Sequence, residues 1–543
     1  MTISLHKAKA QRGAALILFV TVLILGVAWY TVGALGKAPI ANAEREVKTG
    51  LALRAGKQAL LAHVAQQAAR STTAQPGRMP CPESLNLTNV GQASSACSNV
   101  AASVGRLPWR TLGIDQLRDG DGEPLWYVLS PGFRTAPINF GTTGQLTYNG
   151  AGNAAVALII APGRALRSGG CNTTDQLAAV NRYDAPLVPA NFLECGNETA
   201  NYANPGTSQW TNDRVISIAA AEWTDVVAGP LADRLQREVA PALEEWRAGQ
   251  SVASWGQSFL PHASTFGGGG GPSGNDLCGD VDVIEGMPPF ATVASSLCDT
   301  AWLSGVAGSL GAELTFGGCT PGVSEMRCVF TVVLAGVAFP TITATAPRIG
   351  HSFRSFDPSQ ITIRVNGAPA QPGNVSGYSA SVSSATGEGT ISFQITFPLL
   401  SISDTVEVRI PNPSDFLLAE PRTQWLLNNG WGRFLYYGVS RASTINPMTS
   451  VCNAAGDAGC LNVNGMPAPS DDKRLVLAIM GRALAVQIRP SASEIDYLEQ
   501  QNASTGDAAF ESLTVNSTFN DRVAACPFNY TTSTGPLSPP VCN

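Results

Sequence analysis

The sequence predicts an α+β protein on three observations. An uncharged apolar run, Ala14 to Leu35, continues into a stretch with helical apolar spacing, Ala41 to Arg70. Short β-branched and aromatic runs follow, in a chain with 55 Gly and 36 Pro among 543 residues. Several phrases of the first half recur near the end. The expected architecture is a long N-terminal helix, transmembrane plus amphipathic spine, carrying an α/β head, then an inserted β-sandwich and a second, partial copy of the head.

The apolar run has 22 residues. As an α-helix it reaches roughly 33 Å, enough for a hydrocarbon core of roughly 30 Å. Lys7, Lys9 and Arg12 precede it and Lys37 alone follows closely, so residues 1–13 read as a cytoplasmic leader and the rest as exported. This predicts single-pass placement in an inner membrane, through residues 14–35, with the C-terminal part periplasmic or extracellular. Leu53, Leu60 and Val64 recur at helical spacing in an Ala-rich spine, residues 36–75, which Gln75-Pro76-Gly77 ends.

Residues 77–250 form the expected first head. Asp119-Gly120-Asp121-Gly122-Glu123 turns into the strand-forming run Leu125 to Val128. Val156 to Ile160 is a buried-strand pattern ending in Ala161-Pro162-Gly163. Leu231, Leu235, Val239 and Leu243 lie at i+4 steps and predict an amphipathic helix closing this head.

Arg12-Gly13 before the apolar run, Arg78-Met79-Pro80-Cys81-Pro82, Leu107-Pro108-Trp109, Ala161-Pro162-Gly163 and Asn212-Asp213-Arg214-Val215 occur in that order. Together they resemble bacterial type IV pilin-like surface proteins, minor pilins and pseudopilins, over residues 12–245. The resemblance implies cleavage by a prepilin peptidase between Gly13 and Ala14, with the helix then packing among other pilin-like subunits in a filament. Leu18 stands where most members carry glutamate, which places the chain beside members lacking that acid. Ectodomains of this bulk imply a minor or tip subunit. The alternatives are an uncleaved signal anchor and a tethered surface adhesin with an unknown surface ligand.

Asn429-Gly430-Trp431-Gly432-Arg433-Phe434-Leu435-Tyr436-Tyr437-Gly438-Val439-Ser440 repeats the frame of residues 119–130. Gly481-Arg482-Ala483-Leu484 repeats Gly163-Arg164-Ala165-Leu166. Tyr497-Leu498-Glu499 with Asn502 repeats Phe192-Leu193-Glu194 with Asn197, and Asn520-Asp521-Arg522-Val523 repeats Asn212-Asp213-Arg214-Val215. These matches predict a duplication, with the second copy at residues 416–543. Between the copies lie a Gly-rich linker, residues 251–276, and a β-sandwich, residues 277–415. Its expected strands are Val329 to Phe339, Ile361 to Val365, Tyr378 to Val382, Thr390 to Phe397 and Thr405 to Ile410.

The 12 cysteines fall into six close pairs: Cys81/Cys97, Cys171/Cys195, Cys278/Cys298, Cys319/Cys328, Cys452/Cys460 and Cys526/Cys542. They suit local disulfides in an oxidising compartment. A net charge of −6 without a basic cluster beyond the leader argues against nucleic acid. The 4 histidines are scattered, and no nucleophile, phosphate-loop or zinc-protease motif occurs, so no catalytic residues and no enzyme are predicted. No cofactor is expected beyond one calcium candidate, Asp119, Asp121 and Glu123, whose acids alternate with glycines. The second copy has Asn429, Trp431 and Arg433 in the matching frame, which favours a structural turn. Asp280, Asp282 and Glu285 form a second acidic group. Trp109, Trp126 and Trp431 read as core.

Overall fold

The computed structural model describes residues 11–71, 73–99, 103–135, 137–249, 283–288, 421–444, 451–489 and 493–528, the sandwich strands, and single residues between these. The protein is α+β. It divides into two compact units: residues 1–60, 80–131 and 144–219, and residues 61–79, 132–143 and 220–543.

Helix α1, Gln11–Ala69, is unbroken, but the expected transmembrane-plus-spine reading of it is corrected. Among the described residues no helix is long and apolar enough to cross a membrane. The described apolar side chains near its start lie at residues 16–29. They cover about 20 Å of helix, short of a hydrocarbon core of roughly 30 Å. The transmembrane segment 14–35, the membrane as a partner and the single-pass inner-membrane location are withdrawn accordingly.

Farther along, α1 works as a packing element. Leu53 and Leu60 are buried, and a Cβ at Gly56 would meet Leu107, Leu125 and Ile159 at 3.4–3.6 Å. The sheet behind it runs in the order β1 (Val104–Arg106), β2 (Trp126–Leu129), β5 (Ala157–Ala161), β7 (Arg214–Ile218), all antiparallel. Short helix α2, Trp109–Leu112, follows β1. Strands β2 and β5 are buried throughout, because α1 covers one face and a second layer the other. That layer holds Trp126, Val128, Leu158 and Ile160 against Phe192, Leu193 and Tyr202. It contains β3 (Leu146–Tyr148), paired with β4 (Ala151–Ala155) and, in parallel, with β6 (Asn201–Tyr202).

The second unit repeats this plan. Helices α3 (Ala220–Arg234) and α4 (Ala240–Gly249), joined by a π-helical turn, Leu235–Val239, bury the expected Leu231, Leu235, Val239 and Leu243. They do not close the first head. They belong to the second unit, where Arg474 of β20 (Lys473–Ile479) pairs with Glu244 of α4 at 2.8 Å. The sheet order is β8 (Glu285–Gly286), β18 (Leu435–Val439), β20, β22 (Arg522–Pro527), again all antiparallel. Strands β19 (Asn462–Asn464) and β21 (Ala509–Glu511) pair in parallel, as β3 and β6 do.

The registers coincide. Trp126 faces Ile160 and Tyr436 faces Ala478; Ile160 faces Val215 and Ala478 faces Val523. Gly105 faces Tyr127 in the first sheet, Gly286 faces Tyr437 in the second. The second copy is therefore not partial and does not begin at 416: its helix and first strand precede the sandwich. The repeat offset is 181 from Gly105 to Gly286 and 310 from Tyr127 to Tyr437. The step between the two offsets is the inserted sandwich.

The sandwich region contains two antiparallel sheets. One orders β10 (Ala312–Pro321), β11 (Glu325–Leu334), β17 (Ser403–Pro411), β13 (Thr362–Val365) and β14 (Ala368–Pro369). The other orders β15 (Val375–Val382), β16 (Gly389–Ile395), β12 (Thr341–Ala346) and β9 (Gly305–Gly308). The five strands expected there correspond to β11, β13, β15, β16 and β17.

Gly56 gives a two-sided test of α1 packing. A methyl fits its contacts and favours the helix, so Gly56→Ala stabilises the protein by about 0.5–1 kcal/mol, whereas Gly56→Phe overpacks the contact and costs about 1–3 kcal/mol. Urea unfolding of the two variants reads both signs; stabilisation by both would place Gly56 away from the sheet.

Candidate functional site

A polar-lined cleft of about 240 Å³ opens in the first unit. One wall comes from residues 42–49 of α1. The other comes from the C-terminal end of β5 with Gly163 and Arg164, and from residues 207–214 leading into β7. The turn at Asp119 holds the walls in register: Gly120 N donates to Thr49 Oγ1 at 2.9 Å, and a Cβ at Gly120 would sit 2.3 Å from the Arg45 carbonyl oxygen. Charges alternate around the rim. Arg214 Nη2 pairs with Glu46 at 2.8 Å, and Arg45 faces Asp121 at 3.9 Å.

The three acids of the calcium candidate are directed to separate tasks. Asp119 is buried; its Oδ1 accepts from the N–H groups of Asp121 and Glu123, both at 2.9 Å, and its Oδ2 from Gly163 N at 2.8 Å. Burial raises its pKa even against these three donors. Glu123 accepts from Tyr183 Oη at 2.6 Å and pairs with Arg182 at 3.4 Å. Asp121 lines the cleft. Among the described residues no group of three His, Cys, Asp or Glu is placed to hold a metal ion. Asp280 and Asp282 of the second acidic group lie outside the described residues.

A buried carboxyl pair occurs in each copy with the same bonds. In the first, Glu194 Oε2 accepts from the N–H groups of Asn212 and Asp213 at 3.1 and 3.3 Å, and its Oε1 from Gln176 Nε2 at 2.8 Å. Asp213 Oδ2 accepts from Glu194 N and Asn197 Nδ2, both at 2.8 Å. In the second, Glu499 Oε2 accepts from Asn520 N and Asp521 N at 2.9 and 3.1 Å, and its Oε1 from Gln487 Nε2 at 3.0 Å. Asp521 Oδ2 accepts from Glu499 N at 3.0 Å and Asn502 Nδ2 at 3.1 Å. Asp213 Oδ1 and Asp521 Oδ1 are both buried without a partner. Two carboxylates this close, out of water, cannot both ionise cheaply; a proton on the aspartate directed at the glutamate resolves both problems. Burial, then the neighbouring glutamate charge, holds both aspartates well above the usual range, and burial pushes Glu194 up to about 6.

Three expected disulfides form as read: Cys81–Cys97, Cys171–Cys195 and Cys452–Cys460. Cys328 and Cys526 are also disulfide-bonded, and Cys319 stands directly opposite Cys328 in the β10–β11 register. Cys278, Cys298 and Cys542 lie outside the described residues. Gly13 and Ala14 lie in the first turns of α1. Trp126 and Trp431 are fully buried, and Trp109 is half-buried. His63, the one described histidine, is held below its usual pKa by burial and then by Arg70 and Arg134. No known protein family, curated protein or solved structure matches the chain.

Sequence reasoning passed over Gln176, Gln487 and the catching role of Glu285. On β8, Glu285 accepts from Gly506 N at 3.1 Å and Ala508 N at 2.6 Å. Burial pushes its pKa from 4.5 to about 7, with Asp507 adding to the rise and Arg441 opposing it. The unfolded chain releases this proton near pH 4.5 and the folded chain near 7. Stability therefore falls as pH rises across that window and levels off above it. We expect the unfolding free energy to drop between pH 5 and 8 by about 2–3 kcal/mol more in the native protein than in Glu285→Gln. An equal drop in both would mean that Glu285 is ionised throughout.

Proposed function

We propose that this protein is a non-enzymatic minor subunit of a pilin-like filament, which contributes the early part of α1 to helix–helix packing and displays two heads and a sandwich. One observation carries the reading. Residues 16–29 of α1 are exposed on every side, with Leu16 at 65 %, Phe19 at 64 % and Trp29 at 85 %. An apolar helix surface that is uncovered all round calls for partners all round. A ring of like helices meets that need, and a single groove on another protein does not.

The non-enzymatic part rests on what the described buried acids do. Asp119 and Glu194 spend their oxygens on backbone N–H groups, which is a structural task. Ectodomains of two heads and a sandwich are bulky for a subunit repeated along a thin fibre, which favours a minor or terminal position. The Arg12-Gly13 junction supports prepilin-type processing, with a mature chain starting at Ala14.

A photo-crosslinking residue in place of Leu18 or Ile24 of the full chain, activated in the producing cells, tests the assembly. The expected adducts are with a second polypeptide that itself begins with an apolar helix, identified by mass spectrometry together with a mature N-terminus at Ala14. Adducts with lipid alone, or none, would overturn the filament reading.

A further inference from the structure

In the cleft of the first unit, where Glu46 faces Arg214 and Asp121 faces Arg45, Arg164 lacks the carboxylate that its counterpart in the second copy finds within the chain. Arg482 follows Gly481, and its carbonyl accepts from Asn520 Nδ2 at 2.8 Å. Its Nε donates to the Asp225 carboxylate of α3 at 3.1 Å. At the same place in the first copy stands Arg164, which follows Gly163 and whose carbonyl accepts from Asn212 Nδ2 at 2.8 Å. Arg164 is exposed and lines the cleft. Among the described residues no carboxylate pairs with it.

Two further features make the cleft receptive. Arg45 is 48 % exposed at its side chain, with Asp121 at 3.9 Å and Asn42 Oδ1, which accepts from its Nη1, at 3.5 Å. Arg214 Nε and Asn212 Oδ1 are buried and unpartnered, although both line the cleft. The cleft offers guanidinium groups for an anion, and amides and hydroxyls from Asn42, Thr207 and Ser208 for neutral oxygens. Ala161 and Leu166 are its apolar contributors, too little for a peptide anchored by side-chain burial.

We infer that this cleft binds a carboxylated saccharide, with a uronic acid carboxylate in the place that Asp225 takes in the second copy. This inference is independent of the filament reading, because it concerns the first unit alone.

Titration calorimetry of the full chain with trigalacturonate, neutral galactotriose and triglutamate tests it. Trigalacturonate is expected to bind, and the other two not. Arg164→Ala weakens that binding by about tenfold or more, the loss of a charge-assisted pair. Asn42→Asp, which puts the chain's own carboxylate into the cleft, weakens it too, while Arg482→Ala leaves it unchanged. Because Arg164 is exposed, its variant keeps the native unfolding midpoint. No binding of trigalacturonate, equal binding of the neutral sugar, tighter binding of the peptide, or undiminished binding by Arg164→Ala would each overturn the inference.

Discussion

An aspartate buried to its last oxygen is tolerable only if every lone pair is met or the charge is removed, and this chain builds two heads around that constraint. Asp213 and Asp521 each open the last strand of their sheet, and each binds the backbone of a glutamate far earlier in the chain. The glutamate in turn accepts from the two N–H groups at the strand's start. The exchange ties the long excursion between the third and fourth strands to one register, and a shared proton keeps the cost of burial down. The copies differ in one respect. In the second, half-buried Arg489 lies close enough to Glu499 and Asp521 to interact with both.

This shared frame explains why a whole sandwich is tolerated inside the second head. In the first head, β1 and β2 are antiparallel neighbours joined by a short connection carrying α2. In the second, the equivalent neighbours are β8 and β18, with Gly286 opposite Tyr437. The ends of the insertion therefore leave and re-enter the sheet side by side, and the sandwich replaces a surface loop. Closing a longer loop costs only logarithmically more entropy, while the sandwich strands satisfy their own backbone groups. The two-residue strand β8 gains a hold that its length cannot supply, through Glu285 and the N–H groups of Gly506 and Ala508.

Much of this frame was legible, because the repeated phrases are the network itself. Asn-Asp-Arg-Val carries Asp213 and Asp521, Leu-Glu carries Glu194 and Glu499, and Gly-Arg-Ala-Leu carries the carbonyls that anchor Asn212 and Asn520. Residues that must meet fixed backbone donors resist rewriting, so they surface as matching strings. The misassignments have equally physical causes. The i+4 row from Leu231 to Leu243 declares a buried helix face but not which sheet it faces, and chain order alone points to the first head. Strand β8 is too short for any period to show. The acids of residues 119–123 resembled a calcium loop because a turn that collects backbone N–H groups needs a carboxylate as much as a cation does. Hydropathy counts the run 14–35 as one span, whereas the described apolar side chains of α1 cover a shorter length.

Duplication frees one copy of each feature to change while the other preserves the fold, and the two heads have drifted in complementary directions. The second accepted the sandwich and kept its surface arginine, Arg482, closed by Asp225. The first kept its short β1–β2 connection and left Arg164 uncovered beside an open cleft. Since both retain the buried carboxyl pair bond for bond, the pair is what the fold requires and the rim is what it can vary. A ligand preference is therefore more readily altered at Arg164 and Arg45 than at any acid of the interior, because a rim arginine exchanges one solvated partner for another, whereas the Asp213 carboxyl is buried and bound to Glu194 N and Asn197.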